Sequence, residues 1–304
     1  MMTRATIQNK QPELFSYTSD ELGEGAIWHA GRQSLFWLDI PKHRLYEKRF
    51  DSAGVKPDAA WDLPEMASAL AVDEGGNDQL WMITDRSFGC FSLTSGAYQP
   101  AIQLGLPANL RANDGSVAPD GTFWFGTMER EPTGLHGSVY RITRQGKLSL
   151  QLSGIGIPNT FCWSGAQPTL YLSDSYRQKI LAYECENGHI DQSSASLFRD
   201  LTGSSVTPDG GAIDENGNLW NCLWDGHCVA GYTAGGDLIE NIALPTPRPT
   251  SCCFGGPDLA HLFITSAEGG RKQHAGEQLL PGAVFRVELP FAGCKIRSFS
   301  MAGN

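Results

Sequence analysis

The chain has 304 residues, of which 41% are hydrophobic and 18% charged, a composition typical of a folded globular protein. Its formal net charge of −10 argues against nucleic-acid binding, and no apolar run approaches the roughly 18 residues of a membrane span. We therefore expect no nucleic acid, no membrane and no obligatory protein partner.

The start of the chain and its cysteines bear on its compartment. The first fifteen residues lack the apolar stretch of a signal peptide. The eight cysteines follow no spacing typical of disulfides or zinc sites. We therefore expect reduced thiols in a cytoplasmic protein, with the adjacent Cys252 and Cys253 on opposite faces of one strand.

A short apolar strand recurs six times in chain order. The six predicted strands are 35–40, 80–84, 123–127, 170–174, 219–223 and 262–266. Their starts are separated by 43 to 49 residues, which matches the repeat of a β-propeller blade. Tryptophans 37, 81, 124 and 220 recur at one position of this repeat, which indicates packing rather than a cofactor site.

Each of these strands has a predicted partner downstream. The partners are 44–47, 89–92, 138–141, 180–183, 228–232 and 283–286, and turn signals at 73–76, 119–121 and 214–217 precede three of the first strands. The pattern predicts an all-β fold, a six-bladed β-propeller with four-stranded antiparallel blades, as a single domain over residues 1–304. Because such a ring must close, a strand near 13–17 should complete the last blade.

Glu24 lies between two glycines, just before an apolar segment. A buried carboxylate there requires a cation or a hydrogen-bond donor. The alternative, which periodicity alone favours, is a solvated glutamate in a turn.

Two further clusters combine polar side chains with turn residues. Arg111 and Asn113, in Arg-Ala-Asn-Asp-Gly, offer donors and acceptors suited to a polyhydroxylated ligand. Asn159, after a proline, supplies a neutral oxygen of the kind that Ca²⁺ and Mg²⁺ accept. Each is equally compatible with an ordinary turn.

Asp209 lies in a Pro-Asp-Gly tripeptide that occurs twice in the chain. At Asp120 the tripeptide directly precedes a predicted strand and serves as its turn, whereas Asp209 lies ten residues ahead of the strand at 219. A separate turn at Asn216-Gly217 already serves that strand. The position of Asp209 therefore favours a functional site at a channel mouth.

These clusters, in this order, resemble those of the regucalcin/gluconolactonase family of six-bladed propellers. The resemblance covers nearly the whole chain and rests on the segments 22–28, 111–115, 158–159, 170–175, 208–214 with 217–220, and 249–256. It implies one divalent metal ion, Ca²⁺, Zn²⁺, Mg²⁺ or Mn²⁺, bound by Glu24, Asn159 and Asp209.

The resemblance also implies substrate contacts. Arg111 and Asn113 match the substrate-binding positions of the family, and Glu131 is the best match by spacing to a third, with Glu129 as a rival. One departure is Thr160, where the family usually has glycine. Because threonine does not readily adopt φ > 0, we expect a differently shaped segment beside Asn159.

The resemblance implies metal-dependent hydrolysis of a sugar lactone, such as a gluconolactone-like aldonolactone, to the aldonic acid in carbohydrate catabolism. Asp209, or a carboxylate beside it, would take the proton of the attacking water. The alternatives are a calcium-binding regulatory protein without turnover and an esterase acting on another ester or lactone.

Overall fold

The computed structural model of the protein describes residues 11–76, 78–164, 169–268 and 279–302. These residues form 26 strands and two 3-10 turns, Ser175–Arg177 and Gln192–Ser194. The strands of the first half are β1 Glu13–Tyr17, β2 Gly23–His29, β3 Ser34–Asp39, β4 Arg44–Arg49, β5 Ala59–Asp62, β6 Ala67–Asp73, β7 Gln79–Thr84, β8 Ser87–Ser92, β9 Tyr98–Gln103, β10 Leu110–Val117, β11 Phe123–Glu129, β12 Gly137–Ile142 and β13 Leu148–Ile155. Those of the second half are β14 Pro158–Trp163, β15 Thr169–Asp174, β16 Lys179–Glu186, β17 His189–Ile190, β18 Ser196–Asp200, β19 Thr207–Ile213, β20 Leu219–Trp224, β21 Cys228–Tyr232, β22 Leu238–Ala243, β23 Pro249–Gly255, β24 His261–Ser266, β25 Ala283–Glu288 and β26 Ser298–Phe299.

These strands form six antiparallel sheets, and the fold is the predicted six-bladed β-propeller. The sheets are β2–β5, β6–β9, β10–β13, β14–β18, β19–β22 and β23–β25 with β1. Two sheets have a fifth strand that the repeat did not predict. β17 and β18 both pair with β16, and the short β26 adds to β6 in parallel.

The predicted apolar strands prove to be the second strand of each blade. A leading strand precedes each of them, and these leading strands are β2, β6, β10, β14, β19 and β23. The predicted turns at 73–76, 119–121 and 214–217 connect a leading strand to the second strand of its own blade. The predicted strand at 13–17 is β1, which pairs with β25 and so completes the last blade.

Contacts divide the chain into two compact units. The first unit comprises residues 1–61 and 205–296, and the second comprises 62–204 and 297–304. In the first unit, β23 packs against both β2 and β19. In the second unit, β10 packs against both β6 and β14. The prediction of a single domain stays a prediction.

Apolar side chains fill the space between neighbouring sheets within each unit. Cys252 and Cys253 point into two different core clusters of the first unit, as expected for adjacent residues of a strand. All eight cysteines are free thiols. Among the described residues, no helix is long and apolar enough to cross a membrane.

Candidate active site

A one-residue β-bulge interrupts every leading strand near its start. At each bulge the leading strand has one residue more than its partner between two paired positions. The bulges span 24–27, 67–69, 112–115, 159–162, 208–211 and 249–252. Bulges re-aim side chains and are common beside active sites. Four of the six contain a predicted site residue, namely Glu24, Asn113, Asn159 or Asp209.

The alternative interpretation of these residues as ordinary turn residues is wrong. Glu24 lies within β2 and is half-buried. Asn159 lies within β14 and is 5% exposed, and Asp209 lies within β19 and is 7% exposed. Asn113 lies within β10. The turn interpretation holds for Asp120, whose carboxylate accepts hydrogen bonds from the backbone N–H and the hydroxyl of Thr122.

In the first unit, close strand packing and a buried amide support Asp209. A β-carbon added at Gly210 would lie 2.8 Å from the Cα atom of Ser251, so glycine is required for β19 to approach β23 here. The Asn221 side-chain amide, which is fully buried, donates to the carbonyl of Asp209 at 2.8 Å and to that of Gly210 at 3.2 Å. Asn221, in the neighbouring strand of the same blade, therefore holds the bulge that carries Asp209.

The charges of Glu24 and Asp209, both in the first unit, raise the pKa of the same buried thiol, that of Cys222. Burial raises the pKa of Cys222 well above its usual range, and the neighbouring Cys252 thiol raises it further. The negative charges of Asp209 and Glu24 add to this rise in the pKa. Two carboxylates thus direct negative potential into one interior region, which favours a bound cation.

The donor chemistry in this region fits a hard divalent ion. Carboxylate oxygens are the ligands that Ca²⁺, Mg²⁺ and Mn²⁺ prefer. Among the described residues, no three His, Cys, Asp or Glu side chains cluster as a metal site. An ion bound by Glu24 and Asp209 would therefore need neutral oxygen ligands or water to complete its coordination.

In the second unit, a chain of hydrogen bonds connects the predicted polar residues. The Arg111 guanidinium donates to Asn113 Oδ1 at 2.8 Å, and Asn113 Nδ2 donates to Asn159 Oδ1 at 2.7 Å. Asn159 Nδ2 in turn donates to the Ser175 hydroxyl at 2.9 Å. The structure thus brings Arg111, Asn113 and Asn159 together across β10 and β14, and each amide orientation is set by its neighbour.

Thr160 corrects one expectation from the sequence. It adopts φ = 83°, although it is β-branched, and the next residue, Phe161, adopts φ = 36°. The substitution of threonine for glycine has therefore not removed the positive φ beside Asn159. Such a conformation persists only where the surroundings enforce it.

Asp114 is a polar residue of this bulge that the sequence did not single out. As a whole residue it is half-buried, but protein surrounds its carboxylate, and this burial raises its pKa to about 6. The backbone N–H of Gly115 donates to the carboxylate at 2.7 Å and opposes that rise in the pKa. Because Asn-Asp-Gly indicates a turn as readily as a bulge, no signal in the sequence would have identified Asp114.

The structure leaves the third substrate-contact prediction open between two glutamates. The Glu129 carboxylate accepts from the backbone N–H of Thr133 at 2.8 Å and from its hydroxyl at 2.9 Å. These bonds to Thr133 lower the pKa of Glu129. Glu129 therefore caps its own loop, whereas Glu131 is exposed. The assignment of Glu131 stays a prediction.

Comparison with protein families places the chain among known proteins. The family model described as the SMP-30/Gluconolactonase/LRE-like region matches residues 22–268. The match spans most of the chain and includes all the candidate site residues.

Similar proteins include two named lactonases and one solved structure. The pentonolactonase of Haloferax volcanii is 30% identical over 284 residues, which are 91% of this chain and 94% of the relative. The L-arabinolactonase of Azospirillum brasilense is 29% identical over 294 residues, which are 95% and 96% of the two chains. A structure from Agrobacterium tumefaciens, described as a calcium-binding protein, regucalcin, has a TM-score of 0.86 at 26% identity and covers 95% of this chain and 97% of its own.

Proposed function

Because this chain belongs to the SMP-30/gluconolactonase/LRE-like family, we propose that it opens a sugar lactone to the aldonic acid with a divalent metal ion held by Glu24 and Asp209. It is a hydrolase acting on a lactone ester, as its named relatives are. The named relatives include lactonases of five-carbon sugars, and we therefore propose a pentonolactone as the first substrate to test.

One observation carries the metal part of the proposal. Asp209 is nearly buried, yet its charge and that of Glu24 both act on the Cys222 thiol. Carboxylates whose charges reach the same buried thiol are ligands of the kind that a hard divalent cation prefers. Asn159 as a third ligand stays a prediction.

The candidate residues have distinct roles in the proposed reaction. A divalent ion, when bound, polarises the ester carbonyl as a Lewis acid. In the first unit, the Asp209 carboxylate accepts the proton of the attacking water. The Arg111 guanidinium donates hydrogen bonds to sugar hydroxyl groups, and Asn113 Oδ1, which already accepts from Arg111, accepts a hydrogen bond from a sugar hydroxyl group.

A second candidate is a calcium-binding protein without turnover. It is favoured by the description of the Agrobacterium tumefaciens structure as a calcium-binding protein. It would use Glu24 and Asp209 in the same way, so it differs from the main proposal only in whether a lactone is opened. Hydrolysis of an ester other than a sugar lactone is a further outcome of the same assay.

The change that tests the proposal is Asp209→Asn, which keeps the side-chain volume and removes the charge. We expect lactone hydrolysis to fall by about 100-fold or more, because both the proton acceptor and a metal ligand are altered. The measurement is a pH-indicator assay with metal-stripped protein, a panel of five- and six-carbon aldonolactones, and add-back of Ca²⁺, Zn²⁺, Mg²⁺ or Mn²⁺.

Asp120→Asn is the matched control, since Asp120 lies in the same Pro-Asp-Gly tripeptide but serves a turn. This variant should keep full activity. Full activity in Asp209→Asn would refute the role of Asp209. Metal binding without turnover of any lactone would instead support the calcium-binding candidate.

A further inference from the structure

An exposed tyrosine lies at the end of the β14–β18 blade that carries Asn159. The second strand of this blade, β15, ends at Asp174, which pairs with Pro158 at the start of β14. The 3-10 turn Ser175–Arg177 follows directly, so it lies beside the start of β14. Tyr176, in the middle of this turn, is 46% exposed and therefore offers an aromatic surface at the same end of the blade as Asn159.

The position of Tyr176 distinguishes it from the other large apolar side chains that are exposed in the described part of the chain. The others lie on or beside the outer strands of their blades: Tyr17 on β1, Val55 ahead of β5, Leu150 on β13, Leu197 on β18 and Leu238 on β22. Single exposed apolar residues on outer strands are ordinary features of a protein surface. An aromatic side chain beside converging polar groups is instead typical of a small-molecule site.

Hydrogen bonds fix the turn that carries Tyr176 to the segment that leads into β14. The Ser175 backbone N–H donates to the Ile157 carbonyl at 2.9 Å. The buried Asp174 carboxylate accepts the backbone N–H of Gly156 at 3.2 Å and that of Ile157 at 3.3 Å. The backbone that carries Tyr176 is therefore held in place.

Gly156 allows Tyr176 to lie directly on this segment. A β-carbon added at Gly156 would lie 2.3 Å from the Cβ atom of Tyr176 and 2.7 Å from its Cγ atom. The φ of Gly156 does not lie in the left-handed region, so the backbone itself does not require glycine there. The missing side chain therefore serves the close approach of Tyr176. Because Tyr176 is packed on this side, its open side can make a contact at a low cost in conformational entropy.

Tyr176 adjoins the chain of hydrogen bonds that contains the predicted substrate contacts. Ser175, its neighbour in the turn, accepts from Asn159 Nδ2 at 2.9 Å. Asn159 Oδ1 accepts from Asn113, whose own Oδ1 accepts from Arg111. Polar groups suited to sugar hydroxyls thus follow one another across β10 and β14, and an exposed aromatic ring lies next to the last of them.

A sugar lactone has both kinds of surface that this arrangement would contact. Its hydroxyl groups form hydrogen bonds, whereas its ring C–H groups carry a small positive partial charge that is attracted to the negative face of an aromatic ring. We propose that Tyr176 is a further substrate-contact residue, whose ring packs against the C–H face of the lactone while Arg111 and Asn113 bind its hydroxyl groups. This inference rests on the proposed function for the identity of the ligand.

The first measurement is proton NMR of the lactam analogues of five- and six-carbon aldonolactones, which resist hydrolysis, in the presence of the protein. Protons that lie over the face of an aromatic ring shift upfield. We expect upfield shifts of the ring C–H protons with the wild type and with Tyr176→Phe. Tyr176→Leu should abolish these shifts, because leucine keeps an apolar side chain but has no aromatic ring.

The second measurement compares the Kd of the lactam and the KM of the preferred lactone. We expect Tyr176→Ala to raise both by about fivefold and to change kcat much less, because the contact is made in the ground state and the transition state alike. Tyr176→Phe should restore the binding that Tyr176→Ala loses. Tyr17→Ala is the matched control, since Tyr17 is 41% exposed but lies on an outer strand, and it should leave Kd and KM unchanged.

A double-mutant cycle tests whether Gly156 acts through Tyr176. Gly156→Ala should displace Tyr176 and raise the Kd of the lactam by about threefold or more in the wild-type background. In the Tyr176→Ala background the same change should have little effect, because alanine leaves room for the added methyl group. Equal effects in both backgrounds would contradict the placement of the tyrosine ring.

The outcomes separate this inference from the proposed function. Lactam binding without upfield shifts, or an unchanged Kd and KM in Tyr176→Ala, would overturn the role of Tyr176. If the wild type opens no lactone but binds a lactam with these shifts, the proposed function fails and the contact of Tyr176 with the sugar ring stands. If lactones are opened but no lactam binds, the KM values decide. A protein that neither opens a lactone nor binds a lactam would refute both.

Discussion

Asp20 is a fully buried carboxylate of the first unit. Its Oδ2 atom accepts the indole N–H of Trp37 at 2.9 Å. Burial raises its pKa from 3.8 to about 7, the nearby Asp39 carboxylate adds to the rise, and the hydrogen bond from Trp37 opposes it. Near neutral pH the folded protein therefore holds a proton on Asp20 that the unfolded chain has already released.

This residue gives a pH-dependent prediction for Asp20→Asn. Because the pKa is higher in the folded state, the stability from Asp20 is complete below about pH 4 and is lost as pH rises through about 7. Asparagine keeps an acceptor for Trp37 but does not ionise. We therefore expect the variant to gain stability relative to the wild type between pH 5 and 8, by on the order of 3 to 4 kcal/mol at the upper end. Urea unfolding at several pH values measures this.

Asp51→Asn is the control for this experiment, since Asp51 is exposed on the surface of the same unit. Its stability difference from the wild type should not change with pH. A constant difference between Asp20→Asn and the wild type across the same range would contradict the raised pKa of Asp20.

At the scale of single elements, buried tryptophans of the second strands donate hydrogen bonds to the turns that precede those strands. The indole N–H of Trp81 donates to Asp73 at 2.7 Å, and that of Trp220 donates to Asp214 at 3.0 Å. In the third blade the Trp124 indole donates to the Thr122 hydroxyl at 2.9 Å. A turn residue thus satisfies the one polar atom of a large apolar side chain in these blades.

Asp214 accepts more hydrogen bonds than the other two turn residues. It is fully buried, and its carboxylate also accepts the backbone N–H groups of Asn216 and Asn218, each at 2.9 Å. Asp214→Ala should therefore lower the free energy of unfolding by about 3 kcal/mol or more, because several buried donors lose their acceptor. Chemical denaturation with tryptophan fluorescence measures the loss.

The comparison for this prediction is Asp237→Ala in the turn between β21 and β22 of the same blade. Asp237 is exposed. Its removal should change the free energy of unfolding by no more than about 0.5 kcal/mol. Similar losses for Asp214→Ala and Asp237→Ala would show that the buried acceptor is not what stabilises these turns.

At the scale of the whole molecule, both described ends of the chain add to blades built mainly from other parts of the sequence. β1, near the start, pairs with β25, and β26, near the end, pairs with β6. Phe15 of β1 is 3% exposed and packs against Phe263, with ring centroids 4.9 Å apart. β1 thus covers an edge of β25 that would otherwise be open to pairing with another chain.

Loss of this packing should destabilise the protein and expose the edge. We expect Phe15→Ala to lower the free energy of unfolding by about 3 to 4 kcal/mol, as for other buried aromatic residues. Tyr17→Ala, on the same strand but 41% exposed, should have a much smaller effect. Thermal unfolding followed by light scattering measures both stability and association. Equal melting temperatures for the two variants would refute a closing role for β1.

The sequence alone determined the blades, because their signals are local. An apolar strand, its turn and its partner lie within one repeat of 43 to 49 residues, so period and turn chemistry were enough to predict the second strands and β1. The acidic residues Glu24 and Asp209 could also be recognised in the sequence as candidate site residues. Their location within strands could not be recognised, since their flanking glycines indicate turns as readily as bulges.

Only the tertiary structure decided how the candidate site is built. The bond between Asn113 and Asn159 joins residues 46 apart in sequence, and the bond from the Ser116 hydroxyl to the Phe161 carbonyl joins the same two strands. Such contacts depend on how closely β10 and β14 pack and on where each strand bulges. Strand register and the packing of one sheet on the next are set by side chains distant in sequence, and no local pattern specifies them.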